Sequence, residues 1–146
     1  MRSLPLLAAL SVAACQKGPP TTPEAAFRAF GDAVKRQDAR SAFELLGPKS
    51  RAALEARSKA LAVESKGAVR DEPALLAFRT PAQPAPVVSI VVAQADEAAA
   101  VLEVKTCRQA LDASGACPAG ADVQERVTMT KVGQRWGVEL PELVTP

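Results

Sequence analysis

The spacing of apolar residues changes from a helical period in the first half of the chain to a strand period in the second half. Phe27, Phe30 and Val34 recur at i, i+3 and i+7, which places them on one face of a helix that begins near residue 22. Asp38 can cap a second, shorter helix. Helical patterns continue in residues 49–63 and, as a short turn, in residues 73–78.

The second half alternates apolar and polar residues with the period of two that is typical of strands. Leu102 and Val104, for example, alternate with Glu103. Strand patterns cover four segments: residues 87–94, 98–106, 123–132 and 135–140. Short turn signals, Asp96-Glu97 and Gly133-Gln134, separate the first two and the last two strands. The sequence predicts an α+β fold, with N-terminal helices packed on one face of a four-stranded antiparallel sheet.

The composition argues against several functional classes. The 146 residues include no His and no Tyr, so the chain cannot form a Ser-His-Asp triad, a Cys-His pair or a histidine metal site. The formal net charge is only +2. A nucleic-acid-binding domain typically carries a larger excess of basic residues. We therefore expect no nucleic-acid partner, no metal and no cofactor.

The first residues carry an export signal. Arg2 precedes an apolar stretch at residues 4–10 that is too short to span a bilayer. The junction that follows, Val12-Ala13-Ala14-Cys15, resembles the lipobox of bacterial lipoproteins. The alternative is an ordinary secretory signal with a chance cysteine near its end. The resemblance implies that residues 1–14 are removed and that Cys15 receives acyl chains.

Lipidation at Cys15 would attach the protein to a membrane. One acyl chain binds only marginally, at about 0.8 kcal/mol per buried methylene, whereas two or three chains give stable attachment. Residues 15–22 then form a lipidated tether, and residues 23–146 form a single domain. By resemblance to sorting in Gram-negative bacteria, Gln16 favours the periplasmic side of the outer membrane over the inner membrane.

The two remaining cysteines, Cys107 and Cys117, flank a turn-rich segment between two predicted strands. In an exported protein such a pair is expected to form a disulfide. Two free thiols and a redox pair are the alternatives, although no Cys-x-x-Cys spacing supports a redox role.

Three runs of the chain resemble small bacterial lipoproteins of the nuclear transport factor 2-like superfamily. They are Thr-Pro-Glu-Ala-Ala-Phe-Arg-Ala-Phe at 22–30, Arg-Gln-Asp-Ala-Arg-Ser-Ala-Phe-Glu-Leu-Leu at 36–46, and Gly-Gln-Arg-Trp-Gly-Val at 133–138. The resemblance covers residues 22–141. It implies a cystatin-like cone, in which a curved sheet wraps around a long helix.

The same superfamily includes ketosteroid isomerases and polyketide cyclases, whose sites use a carboxylate with Tyr, Asp or His partners. Asp32 and Asp38 are the acidic residues nearest the first-helix region, but Asp32 lies on an otherwise polar helix edge and Asp38 is predicted to be a cap. Because this chain lacks Tyr and His, we expect a non-catalytic binding or assembly module of the cell envelope. The alternatives are a cyclase or isomerase of the same fold and a structural accessory subunit of an envelope complex.

The large apolar residues are candidates for a hydrophobic pocket or for the core. A small domain needs these residues for its core, which favours the second role. The expected partners are the membrane, through the N-terminal lipid, and an envelope protein or a small hydrophobic ligand. The pocket or core candidates are Phe27, Phe30, Phe78, Ile90, Leu102, Met129 and Trp136.

Overall fold

The structure, a computed structural model, describes residues 18–78 and 84–144. Within these residues the helices are Pro23–Lys35 (α1), Ala39–Glu44 (α2), Pro48–Glu64 (α3), Pro73–Phe78 (α4) and Pro141–Val144 (α5). The strands are Val87–Ala95 (β1), Ala99–Cys107 (β2), Asp122–Val132 (β3) and Arg135–Glu139 (β4). The predicted α+β class is therefore confirmed.

The first helix is capped by Thr22, close to its predicted start, and the second begins at its predicted cap, Asp38. Thr22 Oγ1 accepts a hydrogen bond from the backbone N–H of Ala25 (3.2 Å). Asp38 Oδ1 accepts one from the backbone N–H of Ser41 (3.1 Å). Hydrogen bonding from Ser41 also holds the pKa of Asp38 below its usual value. These bonds satisfy amide groups that have no partner inside the helix.

The four strands form one antiparallel sheet in the order β1-β2-β3-β4, as predicted. The β1–β2 turn is closed by Asp96, whose Oδ1 accepts hydrogen bonds from the backbone N–H groups of Ala98 and Ala99. The β3–β4 turn contains Gly133, which has a φ of 62°. Glycine adopts this left-handed conformation without a steric penalty. The sheet is open, since β1 and β4 lie at opposite edges.

One part of the predicted architecture was wrong: the helices are not all N-terminal. The short helix α5 follows the last strand. The predicted strand extends to Leu140, immediately before Pro141, whereas β4 ends at Glu139. Proline lacks a backbone N–H and fits the first turn of a helix, which accounts for a helix starting at this point.

The core lies between α1 and one side of the sheet. Buried residues of the sheet pack with Ala26 of α1, and partly buried aromatic residues of α1 lie against them. Aliphatic side chains dominate this core. Its buried members are Ala26, Ala100, Leu102, Val104, Met129, Trp136 and Val138.

The opposite side of β2 and β3 is polar. Glu103 Oε1 pairs with Arg126 Nη2 (3.2 Å), and Lys105 Nζ pairs with Asp122 Oδ2 (3.1 Å). The hydrogen bond and charge of Lys105 lower the pKa of Asp122. This alternation of apolar and charged sides is typical of an antiparallel sheet with one solvated face.

Cys107 and Cys117 form the predicted disulfide, with their sulfur atoms 2.06 Å apart. The loop that they close is ordered by Asp112. Its Oδ1 accepts hydrogen bonds from the backbone N–H groups of Ser114 (2.8 Å) and Ala116 (3.0 Å). The Ser114 hydroxyl also donates to Oδ1 (2.6 Å), and this bond, followed by that of the Ala116 N–H, lowers the pKa of Asp112.

The predicted signal peptide and Cys15 lie outside the described residues. Within residues 18–78 and 84–144, no helix has the length and hydrophobicity needed to cross a membrane.

Candidate functional site

A groove with a volume of about 510 Å³ lies between α1 and the beginning of β1, and we call it the α1/β1 groove. One wall comes from α1, and the other comes from the three strands β1, β2 and β3 with the segment before β1. The groove lies within the size range of small-molecule sites in proteins. Its lining residues are Phe27, Arg28, Phe30, Gly31, Asp32, Val34, Lys35, Pro84, Ala85, Val87, Thr106 and Glu125.

The helix wall follows directly from the helical spacing. Phe27, Phe30 and Val34 share one face of α1, and all three are only partly buried. Phe27 and Phe30 also lie against the hydrophobic core. Phe30 contacts Phe78 of α4 edge to face, with ring centroids 5.9 Å apart. The aromatic residues of α1 thus have two neighbours, the core and the open groove.

Charged residues surround this apolar surface. Arg28, Asp32 and Lys35 line the groove from α1, and Glu125 lines it from β3. All four are exposed. Glu125 pairs in register with the core residue Val104, so it occupies a position on the helix-facing side of the sheet. This carboxylate interrupts an otherwise apolar row of β3 that continues with Val127 and Met129.

The predicted pocket or core residues divide into two groups. Leu102 and Met129 are 0% exposed and Trp136 is 5% exposed, so these three are core residues. Ile90 is partly buried against the same core. Phe27 and Phe30 line the groove, and Phe78 contacts Phe30 without lining it.

A buried carboxylate lies on β4, at the opposite edge of the sheet from β1. Glu139, at the end of β4, is 7% exposed. Its Oε2 accepts hydrogen bonds from the backbone N–H (2.9 Å) and the hydroxyl (2.8 Å) of Ser50. Its Oε1 accepts one from the backbone N–H of Lys49 (3.3 Å). Ser50 Oγ also accepts a hydrogen bond from the backbone N–H of Leu140 (2.7 Å).

These contacts give Glu139 a structural role. Helix α3 begins after Gly47, which has no side chain to cap it. The carboxylate of Glu139 satisfies the free amide groups of the first turn instead and places negative charge at the positive end of the helix dipole. All the described hydrogen-bond partners of Glu139 are donors in the first turn of α3.

Of the two acids considered for catalysis, one lines the groove and the other does not. Asp38 caps α2 through Ser41 and does not line the groove. Asp32 lines the groove at its exposed margin. Among the described residues, no group of three His, Cys, Asp or Glu side chains is arranged to hold a metal ion.

The sequence did not lead us to predict a role for three residues: Gly31, Glu125 and Glu139. A signal existed for Glu125, because it breaks the apolar alternation of β3 at a position where Val123 and Val127 predict another apolar residue. Gly31 was visible as a glycine inside a helical pattern. Glu139 gave no such signal, since its partners are about 90 residues away in the chain.

Comparisons with protein-family models, curated proteins and solved structures give no match for this chain.

Proposed function

We propose that this protein is a lipid-anchored, non-catalytic binding module of the bacterial cell envelope, and that the α1/β1 groove is its binding site. The groove is the observation that carries the binding role. It combines apolar side chains, Phe27, Phe30 and Val34, with charged residues on both walls. A partly apolar cleft with a few polar groups is the usual form of a small-molecule site.

The sequence supports the lipid anchor. The short apolar stretch and the Val12-Ala13-Ala14-Cys15 junction resemble a lipoprotein signal. The disulfide between Cys107 and Cys117 agrees with export, because disulfides persist in oxidising compartments such as the periplasm. Attachment at Cys15 on the periplasmic side of the outer membrane is the location that we propose.

The positions of the acidic residues support a binding role over catalysis. A cyclase or isomerase needs a carboxylate in a site that changes its proton affinity and a donor that stabilises the developing oxyanion. The buried carboxylate of Glu139 is held by Lys49 and Ser50 of α3. The groove carboxylates, Asp32 and Glu125, are exposed.

The proposed fold family is the nuclear transport factor 2-like superfamily. The order of three helices, a short fourth helix and a four-stranded antiparallel sheet supports this proposal. The position of α1 across the apolar side of the sheet supports it as well.

The anchor is tested by replacing Cys15 with Ala and fractionating the cells that produce the protein. We expect the variant to leave the membrane fraction and become soluble in the periplasm, because it lacks the acylated thiol. The double variant Cys107→Ser/Cys117→Ser is the matched control and should stay in the membrane fraction. If the Cys15→Ala protein remains with membranes after high-salt and carbonate washes, lipid anchoring is wrong.

The groove is tested with an uncharged alkyl ligand, dodecyl maltoside, below its micelle concentration. Isothermal titration calorimetry on the mature chain with Cys15→Ala should show one saturable site, without interference from the protein's own acyl chains. Phe27→Ser/Phe30→Ser should abolish this binding. Absence of any binding by the unmodified groove would overturn the proposed ligand role.

A further inference from the structure

We propose that the α1/β1 groove binds a zwitterionic amphiphile with a single alkyl chain, the chain passing over Gly31 and the head group lying between the two charged walls. This inference rests on the proposed binding function and names the class of ligand. It follows from the position of one glycine and from the distribution of charge around the groove.

Gly31 has no structural reason to be glycine. It lies inside α1, where glycine costs about 1 kcal/mol relative to alanine. Its φ is not in the left-handed region, and a Cβ atom built on it would have no neighbouring heavy atom within 4 Å. Alanine is abundant in this chain, including four of the 13 residues of α1. Neither strain nor crowding therefore explains the absence of a side chain.

The position of Gly31 in the groove does explain it. The residue lines the groove between the aromatic residues Phe27 and Phe30 and Val34, the next apolar residue that lines it. A side chain here would project into the open space. Residues 27–34 extend about 10 Å along the helix axis, which accommodates a medium-length alkyl chain. Gly31 thus keeps an apolar channel open along one face of α1.

The two walls carry opposite net charge. On the helix wall, Arg28 and Lys35 contribute two positive charges and Asp32 one negative charge, which leaves a net charge of +1. On the sheet wall, Glu125 contributes −1. Within the described parts of the chain, none of these four side chains forms an ion pair within 4.0 Å.

This arrangement selects against a head group of one sign. Glu125 attracts a purely cationic head group, and the helix wall repels it. A purely anionic head group is attracted by the helix wall and repelled by Glu125. A zwitterionic head group can place its anion towards Arg28 and Lys35 and its cation towards Glu125. Complementary charge of this kind gives specificity more than affinity.

Substitution of Gly31 separates binding from stability. We expect Gly31→Ala to raise the free energy of unfolding, because alanine favours the helix. Gly31→Leu should keep the fold and weaken dodecylphosphocholine binding at least tenfold, since its side chain occupies the channel. Chemical denaturation and calorimetry measure the two quantities. Ala29→Leu on α1 is the matched control, because Ala29 does not line the groove, and it should leave binding unchanged.

The head-group preference is tested with four ligands that share a dodecyl chain: dodecylphosphocholine, dodecyltrimethylammonium, dodecanoate and dodecyl maltoside. We expect the phosphocholine to bind most tightly, by roughly threefold to fivefold, which is the size of one exposed charge pair. Glu125→Gln should shift the preference towards dodecanoate, because it leaves the groove with a net positive charge. Glu97→Gln, in the exposed β1–β2 turn, is the control and should keep the original order.

The outcomes distinguish this inference from the proposed function. Equal affinity for all four ligands, or an unchanged order in Glu125→Gln, would overturn the zwitterionic ligand and leave a general apolar site. Failure of every ligand would overturn both. Binding of a zwitterionic hexapeptide without any alkyl ligand would also overturn it, as would a dimer that Gly31→Leu prevents.

Discussion

The two edges of the sheet differ in whether another part of the chain pairs with them. At the β4 edge the chain continues the sheet with itself, since Leu46 forms a parallel bridge with Val138. The backbone N–H of Gly47 donates to Val138 O (2.7 Å), and the N–H of Val138 donates to Leu45 O (2.9 Å). At the β1 edge, no strand of the described residues pairs beyond β1, and the α1/β1 groove opens beside it.

The glycines show what this difference means. A Cβ atom on Gly137 of β4 would lie 2.7 Å from the Cα of Gly47 and 2.7 Å from Leu46 O. Glycine is required there because two backbones approach closely. On the open side, a Cβ atom on Gly31 would have nothing within 4 Å. Glycine at position 137 thus permits close contact between two backbones at the β4 edge, and glycine at position 31 leaves space open on α1.

The largest expected effect comes from Gly137→Ala. The new methyl group would meet backbone atoms that cannot move independently, so we expect a loss of at least about 3 kcal/mol of stability. Urea denaturation followed by Trp136 fluorescence measures it. Gly31→Ala is the matched substitution on the open side and should not destabilise the protein. Equal effects of the two substitutions would contradict the comparison.

Glu139→Ala should remove the connection between β4 and α3. It leaves the backbone N–H groups of Lys49 and Ser50 without their described acceptor, and we expect a loss of about 3 kcal/mol. Glu139→Gln keeps one acceptor oxygen and should lose less. Glu142→Ala, on an exposed residue of α5, provides the control. A change below 1 kcal/mol for Glu139→Ala would show that this cap is not needed, on the scale of a typical net hydrogen bond.

The disulfide between Cys107 and Cys117 restrains the chain next to the groove. Cys107 directly follows Thr106, which lines the groove, and its backbone N–H donates to Pro86 O (2.9 Å). Removing the crosslink with Cys107→Ala/Cys117→Ala should lower stability by about 2 to 3 kcal/mol, mainly by freeing the unfolded chain. Thermal unfolding with and without a reductant measures it. A reductant should shift the melting temperature of the unmodified protein and leave that of the double variant unchanged.

The smallest expected effect is the loss of stability in acid. Hydrogen bonds lower the pKa values of Asp38, Asp96 and Asp112 below the usual 3.8. These groups therefore contribute stability that is complete above that value and is lost as the pH falls through their lowered pKa values. Urea midpoints between pH 6 and 2 should decline below about pH 4. Asp112→Asn should make the decline shallower, and a midpoint that rises in acid would contradict this account.

Local patterns explain why most of the fold was predictable. The apolar spacing of α1, the cap at Asp38 and the Gly133 turn depend on residues that are close in sequence, so each is visible without a structure. The disulfide was predictable because the export signal expected from the sequence and the short loop between Cys107 and Cys117 point to the same pairing.

The site was less predictable, because it depends on register and on distant contacts. The aromatic residues of α1 were recognised, but a helical period alone does not separate a core residue from one that lines a groove. The role of Glu125 requires its pairing with Val104. The role of Glu139 requires that the end of β4 meet the start of α3, which no local pattern predicts.

The bond between Glu139 and Ser50 joins positions 89 residues apart in the chain, and it has a consequence for the order of folding. During synthesis the beginning of α3 emerges well before its capping group, which lies 89 residues further along the chain. The helical half therefore cannot complete its native contacts until β4 has joined the sheet. Contacts of such long range slow folding, so we expect the capped start of α3 to form late in folding.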